Sequence, residues 1–284
     1  MNRVPPNHRS ALLRRGAVAA AGTVALTAAG ALAFGTSASA SDSHREPPRP
    51  TIVLEHGAFA DASSWNGVIT RLEGDGYQVV APANPLRGPA SDAASLRSVI
   101  DHIQGPVVLV GHSYGGSVIS EAATHEPKVR ALVYAAAFLP APGESAGGLT
   151  AKFPGSTLGD AVEPVPYTLP DGGKGTDLYI KRDLFRGQFA ADVPRNEADL
   201  MAATQRPITQ AALDEKATSA AWKTVPSWDI VTTKDLNIPR AAQEFMAKRA
   251  HAHITEVASS HAVSVSHPDV VTRVVEQAAR ATAR

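Results

Sequence analysis

The sequence predicts an α/β fold with about six parallel strands flanked by helices, and three observations lead there. Short β-branched runs alternate with helical patterns, as strands joined by crossover helices require. One run, Pro106-Val-Val-Leu-Val110, is apolar without interruption, as expected for a central strand covered on both faces. The alternation is broken only once, between about Pro140 and Pro226.

In chain order, Thr51-Ile-Val-Leu-Glu55 reads as the first strand, followed by a helix over Ser64 to Glu73 and a strand over Tyr77 to Ala81. Asp92 to Ile103 is helical, because Leu96, Val99, Ile100 and Ile103 fall on one face. The Pro106–Val110 strand leads into a helix at Tyr114 to Thr124 and a strand at Arg130 to Ala135. Residues 140–226 are rich in Pro, Gly and Asp, with two helix-like patches at Glu197 to Thr204 and Thr209 to Ala221. This is the pattern of an insertion over the sheet edge. Strand and helix resume at Trp228 to Thr232 and Pro239 to Lys248, followed by a strand at His253 to Val257. The last helix takes Ser266 as its cap, Pro268 in its first turn and Asp269 at its positive end.

The N-terminus has another character. Residues 1–40 hold four of the 27 basic residues (Arg3, Arg9, Arg14 and Arg15) and none of the 27 acidic ones, so the remainder carries a net charge of −4. The Arg14-Arg15 pair precedes a weakly hydrophobic, Ala-rich run that ends at Ala38-Ser39-Ala40. That is the pattern of a cleaved export signal of the twin-arginine type. The expected product is secreted, with no stable membrane anchor after cleavage. Residues 41–50 form a short linker, and the folded domain spans 51–284. A mildly acidic body lacks the basic footprint of a nucleic-acid binder. The absence of cysteine excludes disulfides and thiolate chemistry. No cluster of metal-ligand type is visible, so neither metal nor cofactor is expected.

Gly111-His112-Ser113-Tyr114-Gly115 fits G-x-S-x-G in its required context, after the most apolar strand and before a helix of small residues. Ser113 is the candidate nucleophile. A serine hydroxyl needs a base to take its proton and an acid to orient that base. The expected order is Ser, then Asp or Glu, then His. Asp235 lies just past the C-terminal end of the Trp228–Thr232 strand, whereas Asp229 lies at its start and is expected to make a local polar contact. His261, in Ser259-Ser260-His261 after the last strand, is the candidate base; His251 and His253 flank that strand's start and His267 belongs to the last helix. The amides of Ala58 and Tyr114 are the candidate oxyanion hole. His56 is expected to tie down its loop, and His112 to shape the pocket. Phe59, Trp65, Phe138 and Trp222, with Tyr114, are candidate pocket aromatics.

His56-Gly-Ala with Trp65, Gly-His-Ser-Tyr-Gly-Gly, Thr-Thr-Lys-Asp-Leu-Asn-Ile-Pro and Ser-Ser-His together resemble the α/β-hydrolase superfamily. The branch resembled is that of plant methyl esterases and hydroxynitrile lyases with their bacterial relatives, from about Thr51 to the end. The resemblance implies that the insertion is a cap selecting a small-molecule ester. The lyases resembled carry Thr at the position of Gly57 and Lys at that of Ala262, and both are missing here. Ester hydrolysis is therefore favoured over a lyase reaction, with lactonase or perhydrolase chemistry on the same residues as the alternative. The complete set of Ser113, Asp235 and His261 with an export signal disfavours a non-catalytic small-molecule binder. An Asp nucleophile, which dehalogenases and epoxide hydrolases need, is absent. The sequence carries no sign of oligomeric state.

Overall fold

A computed structural model describes residues 49–283. The export segment read at residues 1–40 and all but the end of the linker lie outside them. Six strands form one parallel sheet: β1 Thr51–Glu55, β2 Val79–Val80, β3 Val107–His112, β4 Val129–Ala135, β8 Ser227–Thr232 and β9 His253–Val257. Their spatial order is β2-β1-β3-β4-β8-β9, so the chain starts near the middle, winds to one edge and returns to build the other.

Alternate residues of β3 serve opposite faces. Val107 and Leu109 join a cluster with helices α2 (Pro89–His102), α3 (Gly115–Ala122) and α9 (Arg240–Arg249). Val108 and Val110 join the cluster of α1 (Asn66–Gly74) and α11 (Pro268–Ala281). With both faces covered, the strand has no position for a polar residue until it reaches the sheet's C-terminal edge.

Between β4 and β8 the chain builds α4 (Ala146–Lys152), α5 (Leu158–Ala161), β5 (Val162–Thr168), β6 (Lys174–Ile180), α6 (Arg182–Phe189), α7 (Arg195–Thr204), β7 (Ile208–Thr209) and α8 (Gln210–Asp214). The antiparallel sheet β5-β6-β7 was not foreseen. Pro164 and Pro166 argue against a strand in sequence, but β5 is an edge strand paired on one side only, where a missing N–H is tolerated. The helix expected over Thr209 to Ala221 is confined to α8, and the expected strand at 77–81 shrinks to two residues. A short helix α10 (Val263–Ser266) precedes α11. The N-cap of α11 is His267, not Ser266, whose hydroxyl instead meets Ser259 Oγ and His267 Nδ1.

Candidate active site

Ser113 occupies the turn between β3 and α3 with φ of +53°, the left-handed region that a residue with a Cβ enters at a cost of about 1–2 kcal/mol. The turn is held from below by close backbone approach. A Cβ on Gly115 would stand 2.5 Å from the Glu55 carbonyl oxygen, so β1 and the start of α3 could not both keep their places. The facing loop is equally tight, since a Cβ on Gly57 would lie 2.6 Å from Ser113 Cβ and 3.2 Å from the Tyr114 amide nitrogen. A threonine at this position would therefore displace the turn that carries Ser113.

That closeness brings Ala58 and Tyr114 to one end of a cavity, of about 410 Å³, that Ser113 and His261 also line. Among the described residues neither the Ala58 nor the Tyr114 amide donates to a backbone carbonyl. The Tyr114 hydroxyl donates to Asp92 Oδ2 at 2.8 Å. Burial, then the adjacent Asp92 charge, pushes its phenol far above the ordinary tyrosine range. Asp92 also accepts from the Arg87 and Gly88 amides. Glu55 lies close by, and burial together with Asp92 raises its carboxyl well above the usual carboxylate range.

His261 Nδ1 donates to Asp235 Oδ2 at 2.7 Å, and both side chains are sealed from solvent. The donor must be Nδ1–H because an ionised carboxylate only accepts. Asp235 lies in the loop after β8 and receives four further bonds, from Thr232 Oγ1, Gln243 Nε2 and the Asn237 and Ile238 amides. Gln243, on α9, was missed in the sequence; a glutamine on an otherwise buried helix face was its only signal. The His261 ring is wedged between the rings of His112, 4.7 Å away, and Phe189 of α6, 4.9 Å away. The His261 loop is tied to the inserted segment by the Ala262 amide to Phe189 O and by the Ser260 amide and hydroxyl, which reach Asp192 and Phe189 O.

The other histidines have structural settings. His112 Nε2–H donates to the His261 carbonyl at 2.9 Å, and burial, reinforced by His261, holds its pKa well below the ordinary value. His56 donates from Nδ1 to Gly57 O and accepts at Nε2 from the Asn84 amide, which pins the loop before Ala58. Burial lowers its pKa too, so it stays neutral as those two bonds require.

Phe59 and Phe138 line the cavity, but Trp65 and Trp222 do not. Trp65 ends a turn that dives under the sheet, where it packs in the α1/α11 cluster and meets the His112 ring edge-on. Trp222 donates from Nε1 to Pro140 O, lies under the Arg249 guanidinium and borders a separate surface cleft. Size and polarity alone do not separate a pocket aromatic from a core one. Much of the remaining wall comes from α4 and the segment after it, including Ala146, Thr150, Phe153 and Leu158, with Leu178 and Leu213. Asp229 makes no local polar contact. It is fully buried beside Tyr134 of the neighbouring strand, neither oxygen has a partner among the described residues, and burial raises its carboxyl well above the usual range.

Residues 52–274 match the Alpha/beta hydrolase family. The chain is 30% identical over 266 residues to a pyrethroid hydrolase of Sphingobium wenxiniae, covering 82% of this chain and 88% of that one. It is 28% identical over 253 residues to an alpha/beta hydrolase, nvfD, of Aspergillus novofumigatus, covering 81% and 97% respectively. The crystal structure of polyneuridine aldehyde esterase superposes with a TM-score of 0.71 at 21% identity, over 81% of this chain and 99% of that one, a likeness of fold.

Proposed function

The chain belongs to the alpha/beta hydrolase family, and from that premise we propose that it is an exported serine esterase cleaving a small carboxylic ester through an acyl-Ser113 intermediate. Hydrolase activity of the esterase type is supported by the relatives. The finer reading rests above all on the buried 2.7 Å bond between His261 and Asp235, with His261 lining the same cavity as Ser113.

With Nδ1 engaged, His261 has Nε2 to take the Ser113 proton as Oγ attacks the ester carbonyl. The Ala58 and Tyr114 amides hold the oxyanion of the tetrahedral intermediate, where one such donor is typically worth about 3 kcal/mol of barrier. Collapse expels the alcohol, which receives the proton from His261. A water then attacks the acyl carbonyl, His261 takes its proton, and the acid leaves as Ser113 regains its hydrogen. Asp235 holds the imidazole in the tautomer that each transfer needs.

Purified Ser113→Ala should fold and lose nearly all esterase activity, and a fluorophosphonate should label Ser113 alone. Labelling elsewhere, or turnover by the variant, would reject the nucleophile. The exported part rests on the sequence of residues 1–40. Mass spectrometry of secreted protein should find an N-terminus near Ser41, and an intact Met1 would reject cleavage.

A further inference from the structure

We propose that Asp192, in the inserted segment, is a positioning residue for the base: its carboxylate fixes the loop that carries His261 and so sets where the imidazole stands relative to Ser113. The insertion then does more than shape the cavity, because one of its side chains tunes the rate of proton transfer. The inference rests on the esterase reading, in which His261 is the base.

His261 lies in the stretch between β9 and α10, outside any helix or strand, and its place is set by individual contacts. Its ring is held by Asp235, and its carbonyl accepts from His112 Nε2 at 2.9 Å. The residues on either side of it are held from the inserted segment. The Ala262 amide donates to Phe189 O at 3.0 Å, and the Ser260 amide donates to Asp192 Oδ2 at 3.2 Å. The Ser260 hydroxyl donates to Asp192 Oδ1, so one carboxylate takes both protons that this residue offers. Ser260 is buried, and water is poorly placed to substitute for either bond.

The post to which the loop is tied is firm. Asp192 follows α6 in a turn closed by backbone bonds of its own, from the Ala190 amide to Arg186 O and from the Val193 amide to Ala190 O. Ala190 and Val193 are buried, and the buried rings of Phe185 and Phe189 stack 5.1 Å apart just before them. The nearest cationic partner of Asp192 among the described residues is His267, with Nδ1 3.7 Å away. Partial burial alone would raise the Asp192 pKa, but bonds from Ser260 and Ser259 outweigh it and hold the carboxyl below the usual range. The group is therefore an ionised acceptor at neutral pH, and bonds to a charged acceptor are roughly twice as strong as neutral ones. A carboxylate engaged by the serine next to the base, without a Lys or Arg to neutralise it, restrains that loop at the point where His261 must meet Ser113. A displacement of about 1 Å there can cost about a hundredfold in rate.

The experiment measures kcat and KM for nitrophenyl butyrate with the wild-type chain, Asp192→Ala, Asp192→Asn and Ser260→Ala, each shown by urea unfolding to be folded under assay conditions. Asp192→Ala should lower kcat by about ten- to a hundredfold with KM within about twofold, since substrate still binds but the base is misplaced. Asp192→Asn keeps an accepting oxygen and should recover part of that loss, and Ser260→Ala, which keeps the amide bond, should lose less than Asp192→Ala. In a His261→Ala background, Asp192→Ala should change the residual rate of Ser113 phosphonylation by less than about twofold, because the group it positions is gone. A kcat within about twofold of wild type in folded Asp192→Ala or, should that variant not fold, in Ser260→Ala would overturn the proposal and leave the contact a purely structural one. A rise in KM at constant kcat, or an undiminished loss in the His261→Ala background, would overturn it as well. All of these outcomes leave the esterase reading intact, whereas no turnover of any ester by the wild type, with no labelling of Ser113, would overturn that reading and the positioning role with it.

Discussion

Asp229 and Asp235 stand on one strand and the loop that follows it, yet five donors converge on the second carboxyl and none on the first. The difference follows from place. Asp235 has left the sheet for its C-terminal edge, where loop amides, Gln243 and His261 converge, whereas Asp229 is pressed between the sheet and its covering helices.

Asp235→Asn should keep substrate binding and lower kcat by about four orders of magnitude, because an amide in that position favours the wrong imidazole tautomer. Asp229→Asn should cost far less, since no bond joins it to His261. Steady-state kinetics on folded, purified variants ranks the two. The reverse ranking would remove Asp235 from the mechanism.

Asp229 should instead show itself in stability. Its folded pKa is raised, so the stability linked to its proton is complete below the unfolded value of 3.8 and is lost as pH rises through the folded value. Asp229→Asn has no proton to lose there. Urea unfolding from about pH 5 to about pH 8 should show the variant gaining on the wild type as pH rises. A difference that stays constant with pH would contradict the raised pKa.

The Tyr114 hydroxyl bond to Asp92 anchors a residue whose amide is proposed above as an oxyanion donor. Tyr114→Phe should lower kcat by about tenfold, less than outright loss of an oxyanion donor, with KM nearly unchanged. A rise in KM at constant kcat would show that the bond serves substrate binding instead.

Of the aromatics, Phe138 borders the cavity and Trp222 does not. Phe138→Ala should shift the preference among nitrophenyl esters toward bulkier acyl groups. Trp222→Phe should leave that profile unchanged while lowering stability by about 1 kcal/mol through the lost bond to Pro140. A changed profile in Trp222→Phe would reconnect its cleft to the site.

The framework was legible because it is written in local pattern. Both faces of β3 are covered, so it had to be apolar throughout, and a sharp strand-to-helix turn had to carry small residues around Ser113. The order of Ser113, Asp235 and His261 along the chain marked them as candidates, since each follows a recognisable strand and so reaches the same sheet edge. The edge strand β5 was not legible, because its two prolines obey a rule that depends on which side has a neighbour. Gln243 was hidden for a related reason, as its role is set by a turn eight residues upstream.

The sequence by itself determined the parallel sheet, the elbow at Ser113 and the candidates for base and acid, since these depend on periodicity and chain order. Only the tertiary structure decided that Asp229 has no partner among the described residues and that Trp65 and Trp222 stand away from the cavity. Each of those is a relation between residues distant in the chain. Burial and hydrogen-bond pairing are set by what packs against a side chain, and no local pattern records that.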